Sequence, residues 1–245
     1  MLTPSLLVGV LAITLVLVGC EGEAPAPALP PAAEVVPEVI IEIPSLASKP
    51  KVKVSETSIP TPGIPRAAYQ YQRDLIRNAR VIWGITAPVA TFAAQIHQES
   101  GWRPDAKSKY ASGLAQFTPD TADWISRLYA GELGENQPLN PSWALRALVT
   151  YDNRLWHVIE AADDCERMAM TLSSYNGGLG WLQRDTRLAR AAGADTRRWF
   201  GHVERFSNRA QWAIEENRGY PRRILLKLER VYLSWGPGVQ CSGVT

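Results

Sequence analysis

The sequence predicts an all-α domain over residues 67–245, and three features predict it. Proline directly follows a capping residue at Thr118-Pro119 and Asn140-Pro141, an arrangement that starts helices because the first helical position has no use for its N–H. Apolar residues recur at three- and four-residue steps, as in Val89, Phe92, Ala93 and Ile96. Alternation at every second residue, the mark of a half-buried strand, is almost absent.

The elements follow in order from that punctuation. Thr86-Ala87-Pro88 predicts a helix with Pro88 in its first turn, stopped by Gly101. Thr118-Pro119-Asp120 opens a second, through about Tyr129. After Asn140-Pro141, the residues Trp143, Leu145, Leu148, Leu155 and Val158 fall at mixed helical spacing. Further helices are expected at 164–175, 203–217 and 221–234, with no internal repeat.

The chain before this domain divides in two. Ser5 to Gly19 is an apolar run of about fifteen residues, which suits the core of a signal peptide and falls short of the roughly 20 of a spanning helix. Leu17-Val18-Gly19-Cys20 resembles a lipobox, so residues 1–20 are expected to direct export, with lipid attached at Cys20. Met1-Leu2-Thr3-Pro4 carries no Lys or Arg, which leaves an uncleaved signal anchor as the alternative. Residues 21–66 hold prolines at 25, 27, 30, 31, 37, 44, 50, 60, 62 and 65, a density that blocks helix and sheet ladders. The expected result is a disordered, semi-rigid spacer, reaching on the order of 100 Å at ~3.1 Å per residue when extended. Such a tether would hold a domain off a membrane.

Charge and cysteine content narrow the function classes. Lys49, Lys51 and Lys53 are outnumbered by glutamates before residue 66, so the positive excess lies in the domain, a weak attraction to anionic surfaces. No Lys/Arg run alternates with aromatics, and a nucleic-acid partner is not expected. There is no C-x-x-C, and only His97, His157 and His202 offer imidazoles, so neither a metal site nor a cofactor is expected. In an oxidising compartment Cys165 and Cys241 either form a disulfide, tying the C-terminal tail to a central helix, or remain unrelated thiols.

The chemistry concentrates between Gln95 and Asp123. Glu99 falls at the C-terminal end of an apolar helix, against the negative end of its dipole, with Trp102 and Phe117 as candidate walls of an apolar pocket. Both influences disfavour ionisation, the condition for a general acid near neutral pH. Alone, a Glu at a helix end is more often a solvated surface residue. Four motifs stand in order around it: Glu99-Ser100-Gly101 with Trp102 and Pro104; Gly113-Leu114-Ala115-Gln116 before Pro119-Asp120-Thr121-Ala122; Ser174-Tyr175-Asn176-Gly177-Gly178; and Arg218-Gly219-Tyr220.

These motifs resemble the lytic transglycosylase family with the SLT domain, relatives of goose-type lysozyme, over about residues 75–235. Ala115 stands where the family usually has Met, which would alter the sugar groove, and the loop from Ser108 to Gly113 is one residue short. The resemblance implies a lysozyme-like helical fold and cleavage of peptidoglycan glycan strands between N-acetylmuramic acid and N-acetylglucosamine. Glu99 would be the acid and then the base, Ser108 would bond near the reacting sugar, and Gln116, Tyr175, Asn176 and Tyr220 would position sugars or the catalytic carboxyl. Read without the motifs, Tyr175 and Tyr220 are packing residues, and Gln116 and Asn176 loop or cap residues.

Most glycosidases pair two carboxylates. The nearest in sequence, Asp105 and Asp120, are explained by solvation and helix capping. The family works with one Glu, the C6 hydroxyl of muramic acid attacking its own anomeric carbon to leave a 1,6-anhydro end. The expectation is a monomeric, exported, membrane-anchored lytic transglycosylase of the periplasm or cell envelope. A hydrolytic muramidase or phage endolysin and a non-catalytic peptidoglycan-binding lipoprotein are the alternatives. The H-x-E at His97-Gln98-Glu99 lacks the P-C-x-x-C that a zinc deaminase requires. The layout suits wall remodelling, service to a secretion apparatus, or phage lysis.

Overall fold

The fold is built around one helix that has no solvent face for most of its length. In the computed structural model, which describes residues 63–244, α1 (Gln72–Trp83) follows a 3-10 turn at Arg66–Tyr71. The expected signal segment, Cys20 and the Pro-rich stretch through residue 62 lie outside the described residues. Next comes α2 (Val89–Ser100), in which every residue from Val89 to Ile96 is buried. Then follow α3 (Pro119–Leu128), a single turn α4 (Ala130–Leu133), α5 (Pro141–Val158), α6 (Asp164–Gly177) and α7 (Leu179–Ala191). After a 3-10 turn at Val203–Arg205, α8 (Gln211–Arg223) runs without a break into a π segment at Ile224–Leu228 and a 3-10 turn at Glu229–Tyr232. No strand occurs among the described residues, only isolated antiparallel bridges joining Lys107 to Ser112 and Ser112 to Phe117.

The starts read from sequence are made by the caps expected. Thr118 accepts from the Thr121 N–H at 3.2 Å, and Asn140 from those of Ser142 and Trp143 at 3.1 and 3.5 Å. Pro88 differs: it precedes α2 as its cap, and Val89 is the first helical residue. The ends of the chain differ more. The expected helix at 203–217 is only a 3-10 turn before residue 211, and α8 then crosses Arg218-Gly219-Tyr220 where a break was expected. Pro221 sits inside α8 and removes one N–H from its ladder, and the π turn follows directly. Helices α1 and α7 were not anticipated, and α7 buries only Leu182, Asp185 and Ala189.

α1 packs on α5, α5 on α6, and α6 on both α7 and α8, while the C-terminal turns close over α2. The buried Glu229 carboxylate accepts from Thr91 Oγ1 of α2 at 2.5 Å and from the N–H groups of Val239 and Gln240 at 3.1 and 2.7 Å. The Ala90 N–H donates to the Pro237 carbonyl at 2.9 Å, so the tail also satisfies the otherwise unpaired first turn of α2. Cys165 at the start of α6 is bonded to Cys241 in that tail, with sulfurs 2.03 Å apart.

The bridge closes a loop with a sequence separation of 76, long enough to restrict the unfolded chain substantially. Replacing Cys165 and Cys241 together by Ser should cost about 2–4 kcal/mol of stability. Thermal unfolding with and without reductant checks this, and an unchanged midpoint in both would rule out a stabilising bridge.

Candidate active site

Glu99 is the last residue but one of α2, where the buried helix emerges into a cleft of about 650 Å³. Gly101 ends the helix in the left-handed conformation, φ 60°, which requires no Cβ adjustment in glycine. The chain then folds back as a flap over residues 102–118, carried by the two antiparallel bridges. Gly113 is obligatory in that flap: at φ 80°, a Cβ would lie 1.8 Å from the Pro138 carbonyl oxygen.

All six residues named from sequence line this one cleft: Glu99, Ser108, Gln116, Tyr175, Asn176 and Tyr220. The Tyr220 hydroxyl donates to Glu99 Oε1 across the junction of α8 and α2. The Tyr175 hydroxyl donates to the Ala115 carbonyl at 2.7 Å, and its ring packs against Phe117 and Tyr151 with centroids 5.6 and 5.4 Å away. Gln116, at φ 47°, sends its amide back to the carbonyls of Ala106 and Gly113 at 3.1 and 2.9 Å, holding the flap in shape. The Ser108 hydroxyl accepts from the N–H groups of Tyr110 and Ala111 at 3.3 and 3.0 Å and so shapes its own turn. Asn176 Oδ1 accepts from Asn217 at 3.0 Å. Asn217 in turn bonds both the hydroxyl and the carbonyl of Ser173 at 2.9 Å, pinning α8 to α6 and with it the position of Tyr220.

One expectation fails in the pocket walls. Phe117 lines the cleft, but Trp102 does not. It is fully buried, donating from Nε1 to the Tyr232 hydroxyl at 2.7 Å and stacked on Tyr71, because φ 67° at this residue turns its side chain into the core. Asp105 and Asp120 are exposed and stand outside the cleft.

The electrostatics single out Glu99. Burial pushes its carboxyl up to about 8; the Tyr220 hydrogen bond opposes that rise, and the like charge of Glu216 adds to it. Burial likewise raises the phenols of Tyr175 and Tyr220 well above the ordinary tyrosine range, so both remain donors. Four groups around Glu99 escaped the sequence reading. Tyr151, Glu215 and Glu216 line the cleft, and Asp152 is a buried carboxyl raised well above its ordinary range, chiefly by burial. The available signal for Asp152 was its place four residues after Leu148 and three before Leu155, on an apolar stripe where an acid is out of character. Among the described residues, no group of three or more His, Cys, Asp or Glu is placed to hold a metal ion.

The helical fold with a raised carboxyl in an aromatic cleft defines the class, and comparison with known proteins gives the family. Residues 75–197 match the Transglycosylase SLT domain, and the chain belongs to that family. Membrane-bound lytic murein transglycosylase F 1 of Alkalilimnicola ehrlichii is 34% identical over 65% of this chain and 30% of its own length. The corresponding protein of Marinobacter nauticus is 30% identical over 61% of this chain and 28% of its own length. This chain therefore spans about a third of the relatives it matches. Among solved structures, the 70 kDa soluble lytic transglycosylase of Escherichia coli shares the fold at a TM-score of 0.50 and 23% identity, covering 69% of this chain and 25% of that one. The same protein has been solved in complex with bulgecin A. The family match ends before α8, yet α8 supplies the hydroxyl that holds Glu99.

A carboxyl held near 8 in the folded protein, against 4.5 when unperturbed, binds its proton more tightly folded than unfolded. Its contribution to stability is full below about 4.5 and is lost as pH rises to about 8. Glu99→Gln should therefore flatten the decline of the unfolding midpoint across that window. Equal slopes for both proteins would place the Glu99 carboxyl near its ordinary value.

Proposed function

We propose that this protein is a peptidoglycan lytic transglycosylase in which Glu99 works alone, first as acid and then as base. The observation that carries the reading is the half-buried Glu99 carboxyl, raised to about 8 and oriented by Tyr220 in an aromatic-lined cleft. At neutral pH such a carboxyl holds the proton that the glycosidic oxygen needs. As the bond from the anomeric carbon of N-acetylmuramic acid breaks, that proton passes to the departing N-acetylglucosamine oxygen. The C6 hydroxyl of the same muramic acid then bonds to the anomeric carbon, and its proton returns to the Glu99 carboxylate. The proton count closes, no water is consumed, and the product is a 1,6-anhydro end. Because the attacking hydroxyl belongs to the substrate, the step is intramolecular and saves the entropy of capturing a second molecule. Ser108, Gln116, Tyr175 and Asn176 are assigned to sugar binding, and Tyr220 to orienting Glu99; the first two act largely by shaping the flap.

A second reading has its own observation. Glu216 lines the cleft with Glu99, and a second carboxylate could activate water for hydrolysis. Mass spectrometry of digested sacculi separates the two: anhydro-muropeptides support transglycosylation, and reducing ends support hydrolysis. Glu99→Gln should lower turnover by about 10²-fold or more while leaving sacculus binding intact. Equal clearance by the variant would remove Glu99 from the mechanism.

The setting is proposed from the N-terminal sequence together with the membrane-bound names of the relatives. Among the described residues, no helix is long and apolar enough to cross a membrane. We assign attachment to lipid on Cys20, with the Pro-rich segment carrying a monomeric domain to the glycan layer of the cell envelope. Labelled palmitate should enter the wild-type chain and not Cys20→Ser; equal labelling would exclude Cys20 as the lipid site.

A further inference from the structure

One turn before Glu99, on the same face of α2, stands Gln95, and opposite it on α5 stands Asp152. Both side chains are completely buried. The recorded contact between them is a single long one, Gln95 Nε2 to Asp152 Oδ1 at 3.5 Å. Each is left with one buried oxygen that has no partner, Oε1 on Gln95 and Oδ2 on Asp152. Two acceptors cannot satisfy each other. A proton on Asp152 Oδ2 turns one of them into a donor, and an acid and an amide then meet through two hydrogen bonds, N–H to Oδ1 and O–H to Oε1.

We propose that Asp152 is a positioning residue held as the neutral acid, closing this two-bond ring with Gln95 and so fixing the turn of α2 that carries Glu99. The surroundings favour the neutral form. The groups acting on Asp152 are the Gln95 amide and the Glu99 carboxyl, neither of which is a cation. The other titratable groups in its field are the phenols of Tyr151 on its own helix, Tyr175 on α6 and Tyr220 on α8, all of which remain protonated. An ionised carboxylate there would be a buried charge with one weak partner, which costs far more than a buried acid with two. The other buried acids of the domain are answered differently: Asp185 receives Arg209 and Arg218 at 2.8 and 2.9 Å.

The consequence for Glu99 rests on the transglycosylase reading. After giving up its proton, Glu99 must carry a negative charge for part of the cycle. A second charge on Asp152 would oppose that state, and a neutral acid does not.

The test has two independent arms, both on the full disulfide-bonded chain. Infrared spectra in D₂O are taken on Glu99→Gln, which removes the other raised acid, with and without Asp152→Asn. A protonated-carboxyl C=O band present at pH 7 and lost with Asp152→Asn supports the proposal. No such loss overturns it, whatever the protein does to peptidoglycan. The second arm reads the alkaline limb of kcat against pH. Asparagine mimics the neutral acid, so Asp152→Asn should leave the limb within about 0.3 pH unit, whereas loss of an ionised neighbour would move it down by about one unit or more. Asp152→Leu should lower kcat by about tenfold with little change in KM, and Asp152→Asn should recover most of that loss. A limb that shifts in Asp152→Asn, or equal losses in the two variants, overturns the positioning role. A wild-type chain that fails to cleave sacculi defeats the functional reading and leaves the infrared arm to decide the state of Asp152.

Discussion

Burial of α2 through Ile96 is the constraint on which the rest of the domain depends. A helix covered on every side has its position set by all its neighbours at once, so its exit point is fixed without reference to solvent. Glu99 sits at that exit. The residues that meet it come from the flap before α3, from α6 and from α8, and of these only the flap is close to it in sequence. The tail serves the same purpose from the other end, where Glu229 and the Pro237 carbonyl answer the polar groups of the first turn. A core helix closed at one end and open at the other places a carboxyl at the bottom of a cleft.

Two kinds of buried acid are visible in this small domain. Asp185, Glu166 and Glu229 are matched by guanidinium groups or by several N–H donors, so their charge is compensated. Asp185 shares Arg218 with Asn217, and through Asn217 that network reaches the cleft. Glu99 and Asp152 are under-supplied by comparison, with one phenol and one distant amide. The difference in supply, more than depth, separates acids that hold the fold together from acids that hold a proton. Arrangements that give up local satisfaction in this way are concentrated at functional sites.

The flap shows how little of a site needs to face the substrate. Gln116 and Ser108 line the cleft, yet their polar atoms bind the flap's own backbone. Gly113 is there because Pro138 leaves no room for a Cβ. Motif residues in such a loop maintain a wall as well as touch a ligand, and the sequence pattern does not distinguish the two duties.

The sequence by itself determined the helical class, the capped starts of α3 and α5, and the set of six residues that share the cleft. It could do so because caps, N1 prolines and helical spacing are local, and because the motifs were long enough to resemble one family. Tertiary structure alone decided four matters. Trp102 turned into the core because a left-handed residue at the helix end redirects its side chain. α8 ran through Pro221 because burial of Tyr220 and Pro221 outweighs the lost N–H, a balance that propensity does not contain. Cys165 and Cys241 were brought together by the path of the tail over α2. Asp152 came to matter only when α2 and α5 were set side by side, since an acid on an apolar stripe is an oddity in one dimension and a partner for Gln95 in three.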